Sequence, residues 1–330
     1  MLADVDEWTE NVWKLSLDDN TCYLVKCDEE NFVVIDTGAS ASMGESILKQ
    51  ITDLGYNNDN LKAIFLTCCH PDHLGGLKLL KKHTQAELYV HESAKPIFEE
   101  GKSYVMEKQF SITGTGEKLL LAWGTNIIEN VIDLPEPNHY IKGGEDINIG
   151  DEIFVIESTG GHSADHILVH AYKLKVTFIG DELGIYQDSE YSFFFDLTGS
   201  PEQRKKALRV FAKLKSIYLF PTHLPPIEHS DIDQITQEAI LAQEHFETTV
   251  LETLSGYGKV KLKNLINHVL DTLAIEWKSP YKELGVAETT LLVYLKKLIT
   301  EKVVSYDEKS KYYSYIEVES GLKDDEQYRN

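Results

Sequence analysis

The chain has 330 residues, 42% hydrophobic and 26% charged, and its 32 Lys+Arg against 54 Asp+Glu give a formal net charge of −22. A collagen, a coiled coil and a largely disordered chain are excluded, and the length allows one large domain plus a smaller one. No apolar run approaches the roughly 18 residues of a membrane-spanning helix, and the N-terminus is acidic where a secretory signal is basic and then apolar. A cytoplasmic protein with no membrane partner is expected. The acidic excess repels phosphate backbones, which disfavours nucleic acid as a partner unless a metal or a local basic patch compensates. Cys22, Cys27, Cys68 and Cys69, with no CxxC among them, do not make a disulfide framework for a chain this long. They are core filler or, at one position, chemistry.

Short β-branched runs that end at a polar residue recur along the chain. Phe32–Ile35 runs into Asp36-Thr37-Gly38, Ala63–Thr67 into Cys68, and Glu87–Val90 into His91. Phe154–Ile156 leads through Thr159-Gly160-Gly161 to His162, Val176–Gly180 ends at Asp181, and Ile217–Thr222 ends at His223. These read as buried strands. Helices are predicted over Ser42–Leu54, Leu74–Lys82 and Pro201–Leu214, the last opened by a proline suited to a first turn. Alternating strands and helices imply an α/β sandwich, a class that collects ligands at strand ends. Residues 93–130, broken at Gly114-Thr115-Gly116, read as a surface excursion.

After Pro225-Pro226 the pattern changes. Helices are predicted over Ile232–Leu254, Val260–Leu273 and Ala287–Thr300, with Gly256 and Gly258 breaking the first junction, and a hairpin follows around Asp307-Glu308-Lys309-Ser310. Three helices and a two-stranded wing predict a winged-helix domain, so the chain divides into 1–230 and 231–330. From Ser255 onward there are 12 Lys+Arg and 12 Asp+Glu, a neutral balance unlike the concentrated basic face of a DNA reader.

The densest chemistry lies in Thr67-Cys68-Cys69-His70-Pro71-Asp72-His73-Leu74-Gly75-Gly76. A thiol, two imidazoles and a carboxylate gather within a turn that follows a strand, and all are good ligands for divalent metals. Helix-start histidines with Asp72 as a cap would be the bland alternative. That alternative weakens once His162, Asp181 and His223 are added, each polar, strand-terminal and otherwise unexplained.

These motifs resemble the metallo-β-lactamase superfamily, whose T-H-x-H-x-D-H-x-G-G signature matches residues 67–76, with Cys68 where the family has histidine. Its later G-H, G-D and final histidine resemble Gly161-His162, Gly180-Asp181 and His223, and its early D-T-G turn resembles Asp36-Thr37-Gly38. With the C-terminal winged helix, Gly161-His162-Ser163-Ala164-Asp165-His166 is closer to the branch of lactamase-β-2-like endoribonucleases and glyoxalase-II-like hydrolases. The resemblance implies an α/β fold, a four-layer αβ/βα sandwich with a C-terminal winged-helix domain, and a site for two zinc ions. One would be held by Cys68, His70 and His162, the other by Asp72, His73 and His223, with Asp181 bridging. Asp72 would also orient the attacking hydroxide as the catalytic residue. His166 would support the site from behind, Cys69 would pack, and His91, His139 and His229 carry no motif.

Cys68 leaves three alternatives: a thiolate ligand that adds negative charge, a depleted first site with one ion or another divalent metal, or a degenerate site. The leading expectation is a hydrolase using a metal-bound hydroxide on an ester, thioester, lactone or phosphodiester of a small molecule. The competitors are an RNA-processing endoribonuclease of the same fold and a non-catalytic winged-helix regulator. A lid over the site or a homodimer interface is open to the C-terminal module, and Tyr186, Tyr191, Phe193, Phe194 and Phe195 are candidates for pocket lining, for core or for a subunit contact.

Overall fold

The structure, a computed structural model, describes residues 1–17, 20–110, 127–185, 191, 193–273 and 286–316. Gly114-Thr115-Gly116 and Tyr186 lie outside these residues. The first sheet takes its strands in chain order: β1 (Asp4–Thr9), β2 (Val12–Leu17), β3 (Asn20–Lys26), β4 (Phe32–Ile35), β5 (Leu61–Phe65), β6 (Glu87–His91) and β7 (His139–Ile141). It is antiparallel up to β4 and parallel from there on. Helices α1 (Ala41–Asp53), α2 (Leu77–His83) and α3 (Lys95–Glu100) lie between its parallel strands in sequence. The second sheet holds β8 (Asp146–Ile149), β9 (Glu152–Ser158), β10 (Ile167–Ala171), β11 (Val176–Gly180), β12 (Tyr218–Pro221) and β13 (Ile227–Glu228), ordered β13-β12-β11-β10-β9-β8. Its one parallel pair, β11 with β12, is connected through α4 (Pro201–Phe211).

The period of two along each strand sorts side chains into layers. In β4, Phe32 and Val34 join Ile47, Ile51, Leu77 and Leu80 of the helices on one face. Val33 and Ile35 join Phe154, Val169, Phe178 and Phe220 of the second sheet on the other. On the far side of the second sheet, Leu168, Ile179 and Leu219 pack against Leu208 and Phe211 of α4 and against Ile232. The result is the expected four-layer α/β sandwich.

The C-terminal elements are α5 (Ile232–Tyr257), β14 (Lys259–Lys261), α6 (Leu262–Thr272), α7 (Val286–Thr300), β15 (Val304–Asp307) and β16 (Tyr312–Tyr315). Two expectations are corrected here. Helix α5 runs through Gly256 and stops only at Gly258, whose φ of +65° suits a residue without Cβ. The helix predicted from Val260 begins two residues later, because Lys259–Lys261 pairs with β16 and makes a three-stranded sheet, β14-β16-β15. The strands β1 to β3 were not predicted: β1 is an exposed, acidic edge without an apolar face. No helix among the described residues is long and apolar enough to cross a membrane.

Arg204 ties α4 to both halves of the chain. Its guanidinium is buried and donates to the carbonyl oxygens of Glu182 and Leu183 at 2.8 and 2.5 Å and to Gln243 Oε1 at 2.8 Å, and it lies over the Phe193 ring. Removing it strands these acceptors in the interior. Arg204→Ala is therefore expected to cost about 3 kcal/mol of stability by denaturant titration; a loss below about 1 kcal/mol would show that the acceptors find other partners.

Candidate metal centre

Two turns, packed backbone to backbone, build the floor of the site. Gly75 N–H donates to the Gly38 carbonyl at 2.6 Å and Gly76 N–H to the Thr37 carbonyl at 3.0 Å. A Cβ at Gly76 would lie 2.7 Å from that Thr37 oxygen, so the glycine pair is a requirement of close approach. Asp36 sits at φ +60°. Its carboxylate accepts the N–H and O–H of Thr67 at 2.8 and 2.7 Å, and its Oδ2 lies 3.1 Å from His73 Nδ1. Gly180, at φ +51°, brings Asp181 in from the end of β11; a Cβ there would meet His166 Nε2 and Thr67 Oγ1 at 2.6 Å.

The seven side chains singled out in the sequence converge in two groups with one member in common. Cys68, His70, His162 and Asp181 form one group, and Asp72, His73, Asp181 and His223 the other, with donor atoms within 4.8 Å of one another in each. His162 Nε2 is 2.9 Å from His70 Nδ1, and Cys68 Sγ is 3.6 Å from the same nitrogen. Asp181 Oδ2 lies 3.3 Å from His73 Nε2 and 3.5 Å from Nε2 of both His162 and His223. His223 Nε2 is also 3.2 Å from Asp72 Oδ2. Asp181 Oδ1 is buried and has no hydrogen-bond partner among the described groups.

Opposed charges set the protonation of the cluster. Burial pushes Asp181 up, but the positive charges of His223 and His73 outweigh it and hold the carboxyl well below the usual range; Asp72 is held low in the same way by His73 and His223. Burial likewise raises the Cys68 thiol, yet His73 and His70 bring it down to about 7. In return, desolvation of His70, His73 and His223 is overcome by Cys68 and the nearby carboxylates, so all three imidazoles titrate well above their ordinary value. The donor set as a whole attracts positive charge. Its nitrogen, sulfur and carboxylate oxygen donors, with one orphaned buried oxygen at the junction, fit a divalent cation.

Residues outside the sequence motifs surround the donors. Asp196 Oδ2 is 3.1 Å from His70 Nε2, and the Phe194 carbonyl is 3.0 Å from His162 Nδ1. Asn20 Nδ2 donates toward Asp72 Oδ2 at 3.4 Å. His166 supports the site as expected: its Nε2 accepts the Asp181 N–H at 3.3 Å, and its Nδ1 faces Thr159 Oγ1 and Glu182 Oε2 at 2.9 and 3.2 Å. Because Nε2 accepts, Nδ1 carries the hydrogen, and burial keeps the ring neutral by depressing its pKa. Cys69 lies in the core, its N–H donating to Asp165 at 2.8 Å. All four described aromatic candidates are core: Tyr191, Phe193 and Phe195 on the C-terminal side, and Phe194 on the side of the first sheet, where its ring also lies beside His162 at 5.4 Å between centroids. Asp196 and Asn20 carry no spacing signal, and only the three-dimensional arrangement picks them out.

Comparison with known proteins agrees with this architecture. The sequence pattern of the metallo-beta-lactamase superfamily matches residues 15–223. Hydroxyacylglutathione hydrolase GloC of Haemophilus influenzae is 28% identical over 163 residues, which cover 49% of this chain and 66% of that protein. The probable metallo-hydrolase YflN of Bacillus subtilis is 28% identical over 182 residues, covering 53% of this chain and 65% of that protein. The chain thus spans just under two thirds of the length of these relatives. Among solved structures, a metallo-beta-lactamase family protein of Thermus thermophilus superposes with a TM-score of 0.68 at 17% identity, over 90% of this chain and 94% of the other. A beta-lactamase domain protein of Burkholderia ambifaria gives 0.68 at 15% identity, over 95% and 94%. These structural likenesses speak for the fold. The matched span begins in β2 and ends on His223, so it contains both turns and every converging donor, and the chain belongs to the metallo-β-lactamase superfamily.

Proposed function

We propose that the chain is a metal-dependent hydrolase of an ester-type bond in a small molecule, with two divalent cations. Cys68, His70 and His162 would hold one, Asp72, His73 and His223 the other, and Asp181 both. The observation that carries this reading is the Asp181 carboxylate, whose Oδ2 lies within 3.5 Å of His162 in one donor group and of His73 and His223 in the other, while Oδ1 is buried and unpartnered among the described groups. Zinc suits the mixed sulfur, nitrogen and oxygen donors. Cations at these positions supply Lewis acidity, which acidifies water and polarises a carbonyl or phosphoryl oxygen.

The chain's own residues do the rest. Asp72, ionised and held by Asn20 and His223, is the carboxylate placed to take a proton from attacking water. Asp36 holds one hydrogen of His73 on Nδ1 and so leaves Nε2, the nitrogen that faces Asp181, as the one that would give up its proton to a cation. Phe110 and Phe194, with ring centroids 5.5 and 6.1 Å from that of His70, keep water from the Cys68 side. Among ester, thioester, lactone and phosphodiester, we choose an acyl thioester as the first substrate class, on the likeness to a hydroxyacylglutathione hydrolase. We read the helices and three-stranded sheet after residue 231 as the winged-helix module, on the element order α5-β14-α6-α7-β15-β16.

Two measurements test the proposal. Chelation followed by dialysis should abolish hydrolysis of a model acyl thioester, and about two equivalents of zinc should restore it; turnover by metal-free protein would overturn the metal dependence. Asp181→Asn replaces the shared carboxylate by a neutral amide and should lower zinc from about two equivalents to less than one by elemental mass spectrometry. Unchanged metal content in that variant would remove Asp181 from the bridging role.

A further inference from the structure

One four-residue segment faces the candidate metal centre and the C-terminal core at the same time. Along 193–196 the side chains alternate, as in any extended stretch. Phe193 and Phe195 enter the C-terminal core, with ring centroids 5.5 Å from Phe246 of α5 and 5.8 Å from Tyr294 of α7 respectively. The Phe195 N–H donates to Thr290 Oγ1 of α7 at 3.4 Å. Phe194 and Asp196 serve the other side: the Phe194 carbonyl meets His162 Nδ1 at 3.0 Å, and Asp196 Oδ2 meets His70 Nε2 at 3.1 Å. Asp196 is itself fixed. Its Oδ1 accepts the N–H and O–H of Thr198 at 2.8 and 2.7 Å, and its own N–H donates to the His162 carbonyl at 3.1 Å. All four residues are buried, Phe195 and Asp196 completely.

A neutral imidazole carries one N–H, and the nitrogen without it carries the lone pair that can bind a metal. A backbone carbonyl and an ionised carboxylate can only accept, so each fixes a hydrogen on the nitrogen it faces. When a cation displaces the second proton, the Asp196 carboxylate therefore keeps the remaining hydrogen on His70 Nε2 and leaves Nδ1, on the side of Cys68 and His162, to bind. The Phe194 carbonyl likewise keeps the hydrogen on His162 Nδ1 and leaves Nε2, on the side of His70 and Asp181, to bind. Two of the three donors private to the Cys68 side owe their orientation to this segment. On the other side, His73 is oriented by Asp36 instead.

We infer that Asp196 and the Phe194 carbonyl are positioning groups for a cation bound at Cys68, His70 and His162, and that the C-terminal core keeps them in place through Phe246, Thr290 and Tyr294. The C-terminal module is then a structural part of one half of the metal centre. This inference rests on the two-cation reading above.

Cobalt titration of the metal-free full chain separates the two halves. Only the Cys68 side has a sulfur donor, so a thiolate-to-cobalt charge-transfer band reports that side alone, while visible ligand-field bands report both. In Asp196→Asn the amide oxygen keeps the Thr198 bonds and the NH2 faces His70 Nε2. That nitrogen must then accept, and the hydrogen moves to Nδ1. The expected result is a charge-transfer band that is lost or needs about tenfold or more cobalt, with ligand-field bands from the other side retained and the metal-free protein still folded by circular dichroism. Tyr294→Ala should shift the band in the same direction, and Tyr294→Phe, which keeps the ring, should match the wild type. If Tyr294→Ala does not fold, Thr290→Val, which removes the acceptor of the Phe195 N–H, must give that shift instead. A normal band in Asp196→Asn, or equal loss on both sides, overturns the positioning role. A normal band in a folded Tyr294→Ala or in Thr290→Val overturns the role of the C-terminal core. A wild-type chain that binds cobalt without ever developing the band removes Cys68 as a donor; one that binds none overturns the two-cation reading itself.

Discussion

A carboxylate withdrawn from water persists as an anion only where positive charge surrounds it, and Asp181 is where this chain meets that condition. It is 2% exposed and is held ionised by His73 and His223 against the full effect of burial. The rest of the site follows from that compensation. Imidazoles must converge on Asp181 from both sheets, and each must be turned by an acceptor behind it. Asp36, Asp196 and the Phe194 carbonyl are those acceptors for His73, His70 and His162. Removing any one frees a ring to rotate or change tautomer, so the cluster depends on groups a layer further out as much as on the donors themselves.

The sandwich makes this convergence possible because its two sheets deliver their strand ends to one edge. Strand β4 ends at Asp36, β5 leads to Thr67 and Cys68, β11 to Asp181 and β12 to His223. The loop after β9 carries His162. Side chains separated by more than a hundred residues in sequence thereby meet. The sharp changes of direction come at and just beyond the strand ends: left-handed conformations at Asp36 and at Gly180, the last residue of β11, and the glycine pair at 75–76 against the Thr37–Gly38 turn.

The readable part of this plan is the part that obeys a period or a fixed spacing. Strands β4, β5, β9 and β11 are apolar runs long enough to name, and helices α1, α4 and α7 show their faces at helical spacing, so the layered α/β fold could be read directly. The seven converging side chains were legible because the turn after β5 compresses four of them into six residues and the remainder follow apolar strands. Asp196 was not legible, since an aspartate after three phenylalanines reads as the end of a core segment. Only the contact with His70, 126 positions away, gives it meaning. The exposed edge strand β1 and the two-residue β13 lack the apolar face on which a strand assignment rests. Helix α5 outlasted its predicted end because Gly256 is in open space, and a glycine there weakens a helix without breaking it.

The cysteine at position 68 changes the balance of charge between the two donor groups. With histidine there, Asp181 would be the only anionic donor on the first side, against Asp181 and Asp72 on the second. A thiolate equalises the count, and Asp196 behind His70 adds a further negative charge on the same side. On the two-cation reading, that side is electron-rich and strongly holding, and correspondingly poor at polarising a substrate oxygen. It is also sealed: Cys68 is fully buried, and Phe110 and Phe194 stand beside His70. The second side is harder in its donors and retains contact with solvent, with side-chain exposures of 11% for Asp72 and 13% for His223. Charge and access thus point the same way: on the two-cation reading, water and substrate would reach the centre along Asp72 and His223, and the Cys68 side would anchor it from within.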